Sequence, residues 1–172
     1  FGRGAQGFAA LDVTKADTVT AATDDLVIRE FTQNDDSDMG YIVSQPAVDD
    51  SNYSTQIVQV LNNGVKRPAV IVGNGIESRN ARAALFVVYL DATGGYDKLV
   101  LPGVNNGLAT PRVIDVDANG TADLVYVGDL LGNLWSINIS NTKKLSEVTS
   151  ANFDSSKSIV YKLFAANAPI VS

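Results

Sequence analysis

A strand-and-turn unit recurs three times along the chain, and it limits the possible folds more than any other feature. Phe8 to Thr14 (FAALDVT), Phe86 to Thr93 (FVVYLDAT) and Leu134 to Ser140 (LWSINIS) each place an alternating, β-prone run before Asp or Asn. A small or β-branched residue follows, and then Thr or Ser. Asp91 and Asn138 lie 47 residues apart, whereas Asp12 and Asp91 lie 79 apart, so the first interval needs an insertion or a longer loop. Gln45-Pro46 and Thr110-Pro111 read as equivalent strand starts. A period in the forties with about four short strands per unit is what a β-propeller blade shows. A β-sandwich built from similar hairpins is the competing arrangement.

The intervening sequence supplies the other strands. Leu26 to Phe31, Ile57 to Leu61, Ala69 to Val72, Leu85 to Leu90, Lys98 to Leu101, Arg112 to Ile114 and Leu124 to Val127 are short β-branched or aromatic runs bounded by turn residues. Asn62-Asn63-Gly64 between two of them is a hairpin signal, because Asn-Gly accepts the positive φ of a tight turn. Almost nothing carries the period of a long amphipathic helix. The chain is therefore expected to be all-β, with 172 residues and 45% hydrophobic content sufficient for one ordinary domain. At this period it holds two complete blades and part of a third. Since propellers close with about four to eight blades, this chain alone should not form a closed ring. Its first residue is Phe1 rather than Met, so it reads as a fragment of something longer.

The strongest chemical signal is Asp115-Val116-Asp117-Ala118-Asn119-Gly120-Thr121-Ala122-Asp123. Oxygen side chains fall at positions 1, 3, 5 and 9, with glycine at 6. A calcium loop needs this spacing: alternate residues turn their oxygens inward, glycine permits the bend, and the position-7 carbonyl (here Thr121) adds a backbone ligand. Three carboxylates within nine residues would repel one another without a cation between them. An Asp/Asn/Gly-rich turn that merely solvates its charges is the simpler alternative. The loop is not an EF-hand. Position 12 is Tyr126 rather than a bidentate glutamate, and the flanks are strands rather than helices. Water or a distant residue must then complete the coordination.

Other motifs are weaker. Gly2-x-Gly4-x-x-Gly7 spells the dinucleotide fingerprint, but no strand precedes it and an extended run follows, so a glycine-rich approach to a strand is the better account. Asn34-Asp35-Asp36-Ser37-Asp38 is acidic without alternating spacing or glycine. It reads as a solvated loop, with a second, weak cation site as the minor alternative. Asn52-Tyr53-Ser54 is a glycosylation sequon that means little outside a eukaryotic secretory context. Trp135 is expected to pack within a blade, and Arg79 and Arg82 to bracket a solvated loop.

Composition removes several function classes. The net charge of −6 disfavours nucleic acid and anionic membranes as partners. Cysteine and histidine are both absent, which excludes a thiolate nucleophile, a Ser-His-Asp triad and a zinc site of the usual ligands. No apolar run approaches the ~20 residues of a membrane-spanning helix.

Several blocks together resemble the C-terminal β-propeller of the PilY/PilC family, the large tip-associated proteins of bacterial type IV pili. The most specific is Gly128-Asp129-Leu130-Leu131-Gly132-Asn133-Leu134-Trp135, preceded by Asn106-Gly107-Leu108-Ala109-Thr110-Pro111 and the acidic loop. Gly2 to Thr14, Met39-Gly40-Tyr41 with Gln45-Pro46, Val72-Gly73-Asn74-Gly75 and Tyr161-Lys162-Leu163-Phe164-Ala165 fit the same family in the same order, so the likeness covers nearly the whole of 1–172. The resemblance implies that Asp115, Asp117, Asn119 and Asp123, with the Thr121 carbonyl, bind Ca2+. It implies a role in pilus extension and retraction, twitching motility and adhesion. It further implies minor pilins and a host or abiotic surface as partners, and a place at the cell surface or pilus tip. Asp49 to Lys66 is an insertion-like departure, and the family's N-terminal adhesive region is missing from this sequence.

Two alternatives stand beside that reading. One is an extracellular, integrin-like propeller whose calcium is purely structural. The other is a quinone-dependent enzyme, which is disfavoured because a cofactor needs a whole propeller around it and acid–base histidine is lacking. Asp12 and Asp91, the tempting carboxylates, sit at strand ends and are expected to form turns. No catalytic residue is assigned.

Overall fold

The computed structural model describes residues 4–14, 26–43, 45–52, 55–148 and 159–170. Among the described residues, ten strands form three antiparallel sheets. A two-stranded sheet pairs β1 (Gly7–Leu11) with β2 (Val27–Thr32). A four-stranded meander follows, made of β3 (Val58–Asn62), β4 (Val65–Gly73), β5 (Ala84–Tyr89) and β6 (Tyr96–Val100). A second four-stranded meander contains β7 (Arg112–Ile114), β8 (Leu124–Gly128), β9 (Asn133–Asn138) and β10 (Val160–Ala165). The described helical structure is a 3₁₀ segment at Thr142–Glu147. These are two four-stranded blades and part of a third.

The predicted hairpin forms as the Asn-Gly pair dictates. Asn62 pairs with Val65, and both turn residues take positive φ, 51° at Asn63 and 81° at Gly64. That left-handed pair matches the right-handed twist of the strands it joins.

The sheets stack face on face. One face of the central sheet, carrying Val70, Val72, Phe86 and Val88, packs on Phe8 and Phe31 of the two-stranded sheet. Its other face, carrying Ile71, Leu85, Val87 and Leu99, packs on Val125, Val127, Trp135 and Ile137 of the last sheet. Strand β5 is consequently buried at all six positions, because alternate side chains enter different cores. Phe86 lies opposite Val72 and Trp135 lies opposite Val127, so the two aromatics hold equivalent places in successive blades. The opposite face of the last sheet, with Ile114 and Tyr161, is exposed.

That register refines the repeat. Matching Phe86 to Trp135 shifts the alignment by two residues relative to matching Asp91 to Asn138. A shift of two keeps every side chain on its proper face, which is why the alternation looked the same. The strand-end polar residues do form turns. Asp12 accepts the N–H and hydroxyl of Thr14 (2.9 and 2.6 Å), and Asn138 does the same for Ser140 (3.0 and 2.7 Å). Asp91 accepts the Gly94 N–H at 3.1 Å and is clamped by Arg67 at 2.6 Å.

Gln45 to Val48 does not begin a regular strand, whereas Pro111 leads directly into β7. The Ala47 N–H nevertheless donates to Ile71 at 2.8 Å, one rung beyond the Val58–Ala69 pair. The line of β3 is therefore started at Ala47, interrupted by the polar insertion, and resumed at Val58.

Candidate metal centre

The Asp115–Asp123 loop joins β7 to β8, the first two strands of the second blade. Its backbone curls because Ala118 and Gly120 both take positive φ, 57° and 79°. A Cβ on Gly120 would also sit 3.1 Å from the Lys66 ammonium of the neighbouring sheet. Main-chain N–H groups then point at the carboxylates. Asn119 donates to Asp115 and to Asp117, each at 3.2 Å. Gly120 donates to Asp115 at 2.7 Å, and Val116 donates to Asp123 at 2.9 Å.

The result is a three-carboxylate group. Asp115, Asp117 and Asp123 each offer an oxygen, and these oxygens lie within 4.8 Å of one another. Two oxygens bound to one calcium at about 2.3–2.6 Å can be no more than about 5 Å apart, so this spread fits a shared ion. The donors are hard oxygens, the chemistry that calcium takes and zinc or copper does not favour. No ion pair among the described residues involves these three side chains.

Two predicted ligands are held differently. The Asn119 Oδ1 accepts both the N–H of Thr121 (2.8 Å) and its hydroxyl, so this oxygen is engaged within the loop and would have to give up a bond to reach an ion. Thr121 itself is buried, its side chain directed to Asn119. The structure thus brings the three aspartates together and closes Asn119 onto Thr121.

The loop also leans on the preceding blade. Ala122 donates its N–H to the Gln59 carbonyl at 2.8 Å, and Asp115 donates its N–H to the Asp50 carboxylate at 2.8 Å. Local sequence carried no signal for these contacts, because Asp50 and Gln59 reach the loop only through the stacking of sheets.

The other acidic stretch is solvated only in part: Asn34 and Asp35 are exposed, as expected, but its other two carboxylates are not. Asp36 and Asp38 are buried, Asp38 completely. Lys98 bridges both at 2.7 and 2.8 Å, and Arg82 binds Asp38 at 2.7 Å. Arg82 is accordingly an ion-pair partner rather than a purely solvated charge. Burial pushes the Asp38 carboxyl up, but hydrogen bonds from Arg82, Lys98 and Asn80 outweigh it and hold the group below 3.8.

The block most specific in sequence turns out to be a packing device. Asp129 is fully buried and accepts the Trp135 indole N–H at 2.9 Å, the Asn106 amide at 3.1 Å and the Asn133 N–H at 2.8 Å. Asn74 takes the equivalent place in the central sheet, after Gly73, and accepts the N–H groups of Ala84 (3.0 Å) and Leu108 (3.1 Å). Gly2 of the glycine-rich start and Tyr53-Ser54 of the sequon lie outside the described residues. Gly7 opens β1, so a strand follows the glycines rather than the helix a dinucleotide site requires.

A family model described as the PilY1 β-propeller domain matches residues 1–171. The type IV pilus biogenesis factor PilY1 of Pseudomonas aeruginosa (strain UCBPP-PA14) is 38% identical over 146 residues, covering 83% of this chain and 11% of that protein. A PilY1 homolog of Xylella fastidiosa is 36% identical over 151 residues, covering 81% of this chain and 9% of that protein. The crystal structure of the P. aeruginosa PilY1 C-terminal domain superposes with a TM-score of 0.64 at 26% identity, covering 95% of this chain and 31% of that one. The chain therefore spans about a tenth of the length of these curated relatives. With the stacked blades, the buried Gly-Asp…Trp junction and a match along nearly its full length, the chain belongs to the PilY1 β-propeller family.

Proposed function

We propose that the Asp115–Asp123 loop binds Ca2+ and that residues 1–172 are part of a C-terminal PilY-type propeller that acts as a binding and regulatory module rather than an enzyme. The observation that carries this is the convergence of three carboxylate oxygens within 4.8 Å. Asp115, Asp117 and Asp123 would hold the ion, Asn119 and the Thr121 carbonyl would join on rearrangement, and water would fill the remaining positions. An ion there neutralises the mutual repulsion of the aspartates and makes local order depend on occupancy. In the parent protein, that order would tune pilus extension and retraction, and through them twitching and surface adhesion, with tip pilins as partners at the cell surface.

A calorimetric titration with calcium, beside Asp123→Ala and with magnesium as control, tests the site. One-site binding that disappears in the variant is the expected result. Equal binding by Asp123→Ala overturns the ligand assignment.

A purely structural calcium is the second reading, and the bonds from the loop to Gln59 and Asp50 favour it: an ion would then lock one blade against the next. Calcium removal that lowers stability yet leaves pilus behaviour unchanged would support it.

A further inference from the structure

We infer that Asp50 is a positioning residue for this metal loop, so that ion binding is coupled to the contact between blades; the inference rests on the calcium reading above. Asp50 belongs to the polar insertion between Ala47 and Val58, the part of the insertion-like stretch that precedes β3. Both ends of that insertion are fixed on neighbouring rungs of β4, at Ile71 through Ala47 and at Ala69 through Val58. Its turn is closed by Asp49, whose carboxylate accepts the N–H groups of Ser51 (2.9 Å) and Asn52 (3.2 Å). The Asp49 N–H in turn donates to the Thr55 carbonyl at 3.1 Å.

Asp50 uses that position to accept the backbone N–H of Asp115 at 2.8 Å. Asp115 is the first residue of the loop and contributes one of the three clustered oxygens, whereas Asp50 is not a member of that cluster. It therefore acts through Asp115 rather than as a ligand. The Gln59 carbonyl holds the Ala122 N–H at the far end of the same loop. Two acceptors from one blade thus fix both ends of the acidic loop of the next. Distances between Asp115 and Asp123 are set across the blade junction, not within the loop alone. Groups that orient ligands in this way commonly contribute about tenfold or more to metal affinity.

The test uses Asp50→Ala, Asp50→Asn and Asp123→Ala in the 172-residue chain, titrated with calcium by calorimetry, with amide exchange of Asp115 followed in calcium-free protein. Asp50→Ala removes the acceptor, and its affinity should fall about tenfold. Asp50→Asn keeps an acceptor oxygen without the charge and should restore affinity to within about threefold of wild type. Exchange at the Asp115 amide should quicken in Asp50→Ala even without calcium. Wild-type affinity in Asp50→Ala, while Asp123→Ala no longer binds, overturns the positioning role and leaves the calcium site intact. Equal losses in the Ala and Asn variants also overturn it, since charge rather than orientation would then be responsible. A wild type that takes up no calcium overturns the underlying reading and this inference with it.

Discussion

The two acid-rich segments of this chain look alike in composition and are resolved by the fold in opposite ways. Around Asp36 and Asp38 the chain supplies its own cations: Lys98 from β6 and Arg82 from just before β5, with the Tyr96 hydroxyl donating to Asp36 at 2.9 Å. Around Asp115, Asp117 and Asp123 the donors are neutral main-chain N–H groups. In the first segment Asp36 and Asp38 are buried with their partners supplied, while Asn34 and Asp35 stay exposed. The second is partly exposed, and no ion pair among the described residues neutralises its three carboxylates. Acid density alone therefore does not single out a candidate cation site; what separates the two segments is whether the chain brings its own positive charge to them. The spacing agrees, since only the second loop alternates its oxygens and has a glycine at the bend.

This contrast can be broken most decisively at Asp123. Asp123→Ala should weaken calcium binding about a hundredfold or more, roughly 2.7 kcal/mol, while unfolding in calcium-free buffer changes little because one repelling charge is removed along with one hydrogen bond. Asp38→Ala should do the reverse. It strands Arg82 and leaves Lys98 with Asp36 alone; since both cations can still reach water, it should cost about 2 kcal/mol in chemical denaturation, less than a fully buried pair. That loss should be the same with and without calcium.

The pH dependence sharpens the same distinction by a smaller amount. Folding lowers the Asp38 pKa, so its contribution is present above the unfolded value of 3.8 and is lost as the pH falls through the lower folded value. Denaturation curves should show an acid limb below about pH 4 that Asp38→Asn flattens. The smallest effect belongs to Lys66, whose ammonium abuts Gly120. Lys66→Met should raise calcium affinity only about twofold, as expected for an exposed charge screened by solvent.

Much of the architecture was legible because strands announce themselves locally. The Asn63-Gly64 turn, the alternation in β8 and β9, and the strand-end Asp12 and Asn138 turns follow from side-chain chemistry within a few residues. The spacing of Asp115, Asp117 and Asp123 was legible for the same reason. What sequence could not give was everything made by stacking. Asp38 reads as solvated until β6 brings Lys98 to it from 60 residues away. Asp50 reads as part of a polar insertion until the next blade lays Asp115 against it. Asn119 follows the ligand spacing, yet its oxygen is engaged by the nearer Thr121, a local competition that spacing alone does not weigh.

The complete burial of β5 has a consequence for the chain before it folds. Ala84-Leu85-Phe86-Val87-Val88-Tyr89 contains no charge, no proline and no glycine, the composition of segments that associate with copies of themselves. In the native state, β4 and β6 occupy both its edges and two cores cover its faces. During synthesis or refolding none of these covers exists, and β6, which brings Asp97 and Lys98 alongside, forms only after β5 has emerged. Refolding yield should therefore fall as protein concentration rises, and a lysine placed at Val87 should relieve aggregation only by sacrificing the core that makes this strand worth hiding.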